Sequence, residues 1–587
     1  RSATVVILEE DGYLNLRTNG LPEASANLAG APPDQRNQRL LSILPILARP
    51  DTRDMLIVGF GAGVAVEGIP PSVASIDVIE LEPKVIDANR LIGPERRIDP
   101  LKDDRVNVYI NDARSALALT ARKYDAIVSQ PSHPWTAGAS HLYTREFMAL
   151  TREHLNPGGV FLQWISTEFV TESLLRSLCA TLLDVYAYAR VYQWQPETLY
   201  FLGSDEPLDI ERTLARTGRP LRDDPQHYLE NGIGSVEDLL IALAMDQANI
   251  RRFAARARPL TDDLNRLATE SVAAMERDST LSFSKLVDLF VPYDPLLQGD
   301  SWIHDDFPGD LEFSYISDRL ERLGFKKRAV ELSGTLERLG RTDSLLLVGL
   351  GLDRQGENLE SQQPLRSALL ADPENNQTRY ALLKPWLDDL ARGDAPDYVM
   401  EVAASASGPV AAVLDGWKAD REEDWPGVFE LEDSFATARP TDLWYLEAIR
   451  LRVDWRIRAN APGLQPRLAR EAMRLLDEGI AIYQDPDLYS IRIAAASVAA
   501  ASVTAAALDV IETTKRLIYL FNNELDRVEE GVIDPLPRTF DLRLRQIETA
   551  RALTDEIRRS FKFSSYKTEQ LDKALSDITS RIEAVRE

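Results

Sequence analysis

The run MLIVGFGAGVAVEGI (55–69) sets glycines at 59, 61 and 63 between an apolar stretch and a helix-like one. Glycine lets the backbone turn sharply and approach a ligand closely, and the N-terminus of the following helix offers free N–H groups. Glu80 ends the next apolar run, VIELEP, where a strand-end carboxylate can accept both hydroxyls of a ribose. Asp112, followed by Ala113 in YINDAR, ends a third run, where it can accept from an adenine amino group. A fourth run opens into IVSQPSHPW (127–135), a loop that offers Gln130 and His133. His133 is a candidate base, because imidazole exchanges protons near neutrality. The glycine loop and the two acids imply a nucleoside-type cofactor on one edge of a parallel sheet. GFGAGV departs from the GxGxxG of a pyrophosphate cradle, so S-adenosylmethionine suits the order better than a nicotinamide dinucleotide.

Strands must place these residues. Short apolar runs at 55–58, 76–81, 106–110, 126–128 and 160–164 alternate with helix-length segments, which predicts an α/β, Rossmann-type, mostly parallel sheet covered on both faces. YAYARVYQW and ETLYFLGS predict a terminal antiparallel hairpin joined through Gln195-Pro196. Upstream, ATVVILEEDGYLNLRTNG predicts a β-hairpin turning at Asp11-Gly12. The expected division is a hairpin and lead-in helix over 1–48, the cofactor domain over 49–205, a helical extension and connector over 206–309, and an all-α domain over 310–587. Within the last, 345–383 resembles a tetratricopeptide unit of two helices with small residues at their crossing. Turn prolines at 373, 440 and 486 are unevenly spaced, so a degenerate solenoid or a plain bundle is expected.

Composition excludes some classes. The 587 residues are 44% hydrophobic and 27% charged, as in soluble globular proteins. A net charge of −26 argues against nucleic-acid partners and would suit a cationic substrate. The single Cys179 excludes a disulfide framework and fits a reducing, cytoplasmic setting, and no histidine spacing suggests a metal site. No apolar run reaches the length of a membrane span, and 493–508 is expected to be a buried helix. The chain opens on Arg1 rather than Met, so an upstream segment is expected.

The stretches NGLPEA, NQRLLSILP, VGFGAGV, VIELEPKVIDANR, DDRVNVYINDAR, YDAIVSQPSHPW, LYTREFMALTREHLNPGGVFLQW and LTDDLNR carry a specific likeness. Over 13–270 the chain resembles the spermidine synthase family of aminopropyltransferases, particularly bacterial members fused to a membrane segment. The resemblance implies a methyltransferase-like fold and an aminopropyl group passed from decarboxylated S-adenosylmethionine to putrescine. It implies Glu80 on the ribose, Asp112 at the adenine edge and Gln38 on the sulfonium side chain. It further suggests a membrane anchor upstream of residue 1 and a homo-oligomer, while the helical half is expected to hold a protein partner. Two departures follow from the same comparison. Ala62 stands where the family's glycine loop has an acid, and Gln130 stands where its proton-accepting aspartate belongs, with the loop's second acid replaced by His133. An amide cannot act as a base. The expected acceptor is therefore less cationic than putrescine, with methyl transfer from S-adenosylmethionine or a catalytically silent scaffold as alternatives.

Overall fold

A computed structural model of the chain describes residues 3–10, 13–29, 36–131, 133–136, 138–195, 198–277, 280–307, 309, 311–354, 358–458, 465–483, 485–499, 503–529, 537–560 and 565–586. Three short antiparallel strands come first: β1 (Val5–Glu10), β2 (Tyr13–Thr18) and β3 (Leu21–Asn27). Asn19 and Gly20, at φ 53° and 85°, form the two-residue turn into β3, because both positions need a left-handed backbone. The expected hairpin thus gains a third strand. LPEASAN hid it, since proline and small polar residues carry little β propensity. The expected Asp11-Gly12 turn and Pro196 lie outside the described residues.

The chain then alternates through α1 (Arg36–Ala48), β4 (Asp54–Val58), α2 (Val64–Glu67), β5 (Ser75–Glu80), α3 (Pro83–Ile92), β6 (Val106–Ile110), α4 (Ala113–Leu119) and β7 (Tyr124–Ser129). It continues with α5 (Arg145–Glu153), β8 (Leu155–Ser166), α6 (Glu172–Val185), β9 (Tyr188–Gln195), β10 (Thr198–Ser204) and a short β11 (Leu243–Met245). The eight-stranded sheet has the order β11-β9-β10-β8-β7-β4-β5-β6. From β6 to β8 neighbours are parallel, whereas β10 runs antiparallel to both β8 and β9. This is the expected methyltransferase-like fold with its terminal antiparallel pair. β11 pairs with β9 inside the segment expected to be helical, and three residues of IALAM give no strand period to read.

Strand alternation builds a core on each face. Leu56 and Val58 of β4 pack with Phe147 of α5 and Leu174 of α6, while Met55 and Ile57 pack with Leu40 and Leu44 of α1. From β4 the chain moves outward to β5 and β6 and then returns to the other side of β4 as β7. The loops after β4 and β7 therefore diverge and leave a crevice at the strands' carboxyl ends.

Two compact units divide the chain, the first made of 1–27, 34–311 and 319–335 and the second chiefly of 336–587. In the second unit, helices Asp343–Arg354 and Asn358–Ala371 form the pair expected within 345–383. A Cβ on Gly349 would stand 2.5 Å from the Leu365 side chain, so glycine is what lets these helices approach. Among the described residues, helices in this unit range from Glu432–Phe435 to the 27-residue Val503–Glu529. Within 493–508, expected as a buried helix, the described residues are helical, in Pro486–Ala499 and Val503–Glu529, and Ile493, Ala495 and Ala496 are buried. Among the described residues no helix is long and apolar enough to cross a membrane.

The helical unit has a core of its own that includes Val399, Val410, Leu451, Leu476, Val510 and Leu575, all fully buried. Produced alone, residues 336–587 are expected to give a helical circular-dichroism spectrum and a cooperative thermal melt. A gradual melt would show that this core needs the other unit.

Candidate functional site

The three loop glycines all have left-handed backbones, with φ of 91°, 55° and 73° at Gly59, Gly61 and Gly63. Their neighbours differ. A Cβ on Gly63 would lie 2.6 Å from the Phe60 ring and from Pro100, so this glycine serves packing and does not face the crevice. Gly61 lies under β3, where a Cβ would stand 3.2 Å from the Ala24 side chain. Gly59 lies beneath Gln130, whose side-chain Nε2 donates to the Gly59 carbonyl at 2.7 Å.

Glu80 closes the loop from the β5 side. Its Oε2 accepts from the Phe60 N–H at 2.8 Å and its Oε1 from the Glu82 N–H at 2.9 Å. Burial nevertheless raises its pKa above the ordinary 4.5, outweighing those hydrogen bonds, and the nearby charge of Glu23 acts in the same direction. Behind the loop Asn89 donates to the Gly61 carbonyl at 2.8 Å and accepts from Arg96 at 3.0 Å. Arg96 and Arg39 both reach the buried Glu67, at 2.6 and 2.9 Å. Two guanidinium groups on one carboxylate fix α1, α2 and the glycine loop together. Gln38 therefore enters the crevice beside an anchored Arg39.

The β7 loop is tied down at several points. Gln130 N–H donates to the Val58 carbonyl at 3.2 Å. His133 is buried, and its Nε2–H donates to the Pro22 carbonyl of β3 at 2.8 Å, while Nδ1 is buried with no hydrogen-bond partner among the described residues. Trp135 and Phe169 pack beside it, their ring centres 4.6 Å apart. Asp112 caps α4 through the Ser115 N–H at 2.9 Å. Further along, Asp262 from LTDDLNR accepts two hydrogen bonds from Arg114, at 2.8 and 2.7 Å, and a third from Thr144 Oγ at 2.8 Å. His141 Nδ1 lies 3.4 Å away. Chiefly through Arg114, the Asp262 carboxyl is held well below its ordinary pKa.

One cavity of about 290 Å³ collects Gln38, Gly59, Gly61, Glu80, Asp112, Ala113, Gln130 and His133 in its wall. Of the expected site residues only Gly63 stays outside. Trp135 and His141 are not among the residues that line it. Sequence reasoning missed Glu23, Glu82, Thr136 and Trp164, which also line it. NGLPEA contains Glu23, but no periodicity in that stretch shows which way its side chain faces. The wall thus carries four carboxylates, Glu23, Glu80, Glu82 and Asp112, and among its described residues neither lysine nor arginine.

Fold and cavity define a methyltransferase-like α/β protein with an acidic cavity at the switch point of its sheet. Comparison sharpens that class, since residues 35–199 match the spermine/spermidine synthase domain. Over 203 residues the chain is 29% identical to the polyamine aminopropyltransferase of Methanocaldococcus jannaschii, a match covering 33% of this chain and 69% of that protein. Over 179 residues it is 30% identical to the polyamine aminopropyltransferase of Nitrosomonas europaea, covering 29% of this chain but only 55% of the relative. Among solved structures, a spermidine synthase in complex with the transition-state analogue AdoDATO aligns with a TM-score of 0.36 and 17% identity, over 43% of this chain and 85% of that one.

Asp262 joins α4 to the far end of the β7 loop, so its loss is expected to loosen that loop first. Asp262→Asn keeps the shape but removes the charge, at a cost of about 1 kcal/mol for a partly exposed ion pair. Hydrogen–deuterium exchange is expected to rise at the amides of 139–144 and to stay unchanged in β4 and β5. Equal protection in both proteins would show that the loop is held by other contacts.

Proposed function

We propose that the α/β unit transfers an aminopropyl group from decarboxylated S-adenosylmethionine to a primary amine. The observation that carries this reading is the charge of the cavity wall: four carboxylates and, among the described residues, no cation. Such a wall favours a sulfonium donor and a cationic acceptor. It disfavours S-adenosylmethionine itself, whose own carboxylate would meet Glu23, Glu80, Glu82 or Asp112 without a compensating base. The polyamine aminopropyltransferases it resembles and the domain match support the same class. Glu80 would accept from the ribose hydroxyls, Asp112 from the adenine edge, and Gln38, Gly59, Gly61 and Ala113 would line the donor. The acceptor need not be less cationic than putrescine, because the wall draws carboxylates from β3 and the end of β5, outside the two altered loop positions.

Glu80 provides a pH test. Its carboxylate accepts hydrogen bonds, so donor affinity requires the ionised form. With the pKa raised, affinity is complete above that value and falls as pH drops through it, at a higher pH than an ordinary glutamate would give. Calorimetric titration of decarboxylated S-adenosylmethionine from about pH 8 to about pH 5 is expected to show this loss. Glu80→Gln is expected to weaken binding about tenfold or more, since one loop N–H then faces an amide N–H. Undiminished binding in this variant would remove Glu80 from the donor site.

Gln130 is read as a clamp. Its amide N–H holds the Gly59 carbonyl, a bond that an ionised aspartate cannot make. Gln130→Asp is therefore expected to weaken donor binding by about 1–3 kcal/mol instead of restoring a catalytic base. Higher turnover in the variant, with donor affinity intact, would return Gln130 to the position of a lost base.

A further inference from the structure

Asn89 stands on the buried face of α3, one turn from Val85, Ile86 and Ile92. That spacing calls for an apolar residue, and asparagine is a poor residue for a helix interior. Buried at 1% exposure, Asn89 nevertheless has its amide satisfied. Nδ2 donates to the Gly61 and Val85 carbonyls, both at 2.8 Å, and Oδ1 accepts from Arg96 at 3.0 Å. Arg96 decides which way round the amide sits. A guanidinium only donates, so it must face Oδ1, which turns Nδ2 toward the glycine loop. Arg96 is itself buried and held by Glu67, whose other oxygen holds Arg39.

Left-handed glycines at 59, 61 and 63 give the loop more backbone freedom than residues with side chains would. A ligand that needs one loop shape must meet the entropy of fixing it, unless the free protein has fixed it already. Two carboxamides do so here. Gln130 reaches the Gly59 carbonyl from the β7 side, and Asn89 reaches the Gly61 carbonyl from the α3 side. Gly59 and Gly61 both line the cavity, whereas Gly63, outside the wall, is crowded by Phe60 and Pro100 instead. Asn89 is not among the lining residues, so its effect on a ligand passes through Gly61.

Resting on the donor site proposed above, we infer that Asn89 is a positioning residue for the sulfonium donor. It presets the Gly61 turn before the donor arrives, and Arg96 sets the orientation in which it does so. The clamp acts on the free protein. Its loss lowers the share of molecules whose loop is ready for the donor, and apparent affinity falls by that share. Once the donor is bound the loop has its working shape, and turnover proceeds as before. A neutral amide suits the task, because it satisfies a backbone carbonyl without adding charge behind the cavity.

The full chain is compared with Asn89→Asp and Asn89→Ala at about pH 8, where an aspartate is ionised. The first keeps the shape and a partner for Arg96 but cannot donate to Gly61, and the second removes the side chain. Calorimetric titration with decarboxylated S-adenosylmethionine is expected to show roughly tenfold weaker binding in both variants. With putrescine as acceptor, the donor KM is expected to rise by the same factor while kcat stays within about twofold of wild type. Hydrogen–deuterium exchange at the amides of 59–64 is expected to be faster in the ligand-free variants and equal to wild type once the donor is saturating. Donor affinity within about twofold of wild type in both variants overturns the assignment. A lowered kcat or melting temperature with donor KM and exchange at 59–64 unchanged also overturns it, since Asn89 would then serve folding alone. Wild type that binds no decarboxylated S-adenosylmethionine overturns the donor site on which the inference rests.

Discussion

A buried carboxylate must find hydrogen-bond donors, and Glu80 finds them in the turns on either side of it. The Phe60 and Glu82 N–H groups both point at it because the chain leaves β4 through left-handed glycines and leaves β5 straight into α3. Each turn would otherwise hold an unsatisfied N–H in a half-buried place. The same two bonds narrow the space above the strand ends to a cavity. One side chain therefore shapes the crevice and supplies its most deeply placed charge.

The remaining order of the site is indirect. Glu67 with its two arginines lies behind the glycine loop, and Asp262 lies beyond the β7 loop. Neither carboxylate belongs to the cavity wall. Glu67 is buried, so removing it would leave two guanidinium groups without their counter-charge, a heavier loss than the pair's own attraction suggests. Asp262 is partly exposed, and its hold on Thr144 and Arg114 depends more on geometry than on burial. The glycine-loop side of the cavity is thus held by a buried ion pair, and the far end of the β7 loop by a partly exposed one.

Much of this was legible in the residues. Consecutive apolar runs such as MLIV declare central parallel strands, because both faces are buried, and their ends locate Glu80 and Asp112 without further help. Gly59 and Gly61 followed from the need for close backbone approach. Gly63 looked the same in the sequence yet serves packing, since only coordinates show Phe60 and Pro100 crowding it. β3 and β11 escaped because strand period needs several residues to register, and a bulge in LPEASAN erases it. That one irregularity also hid Glu23. The acids were counted in the two loops where the family keeps them, whereas the cavity draws Glu23 and Glu82 from elsewhere.

Charge placement bears on rate as well as binding. In the proposed transfer two cations meet in one cavity, and at about 4 Å such a pair repels by roughly 4 kcal/mol in a medium of intermediate polarity. Carboxylates relieve that repulsion, but not equally for ground and transition states. The positive charge on sulfur disappears as the C–S bond breaks, so acids close to the donor favour the state before reaction. Positive charge on the acceptor nitrogen grows again as it attacks, so an acid beside the acceptor favours the transition state. In such a transfer an acid on the acceptor's side lowers the barrier more than one beside the donor.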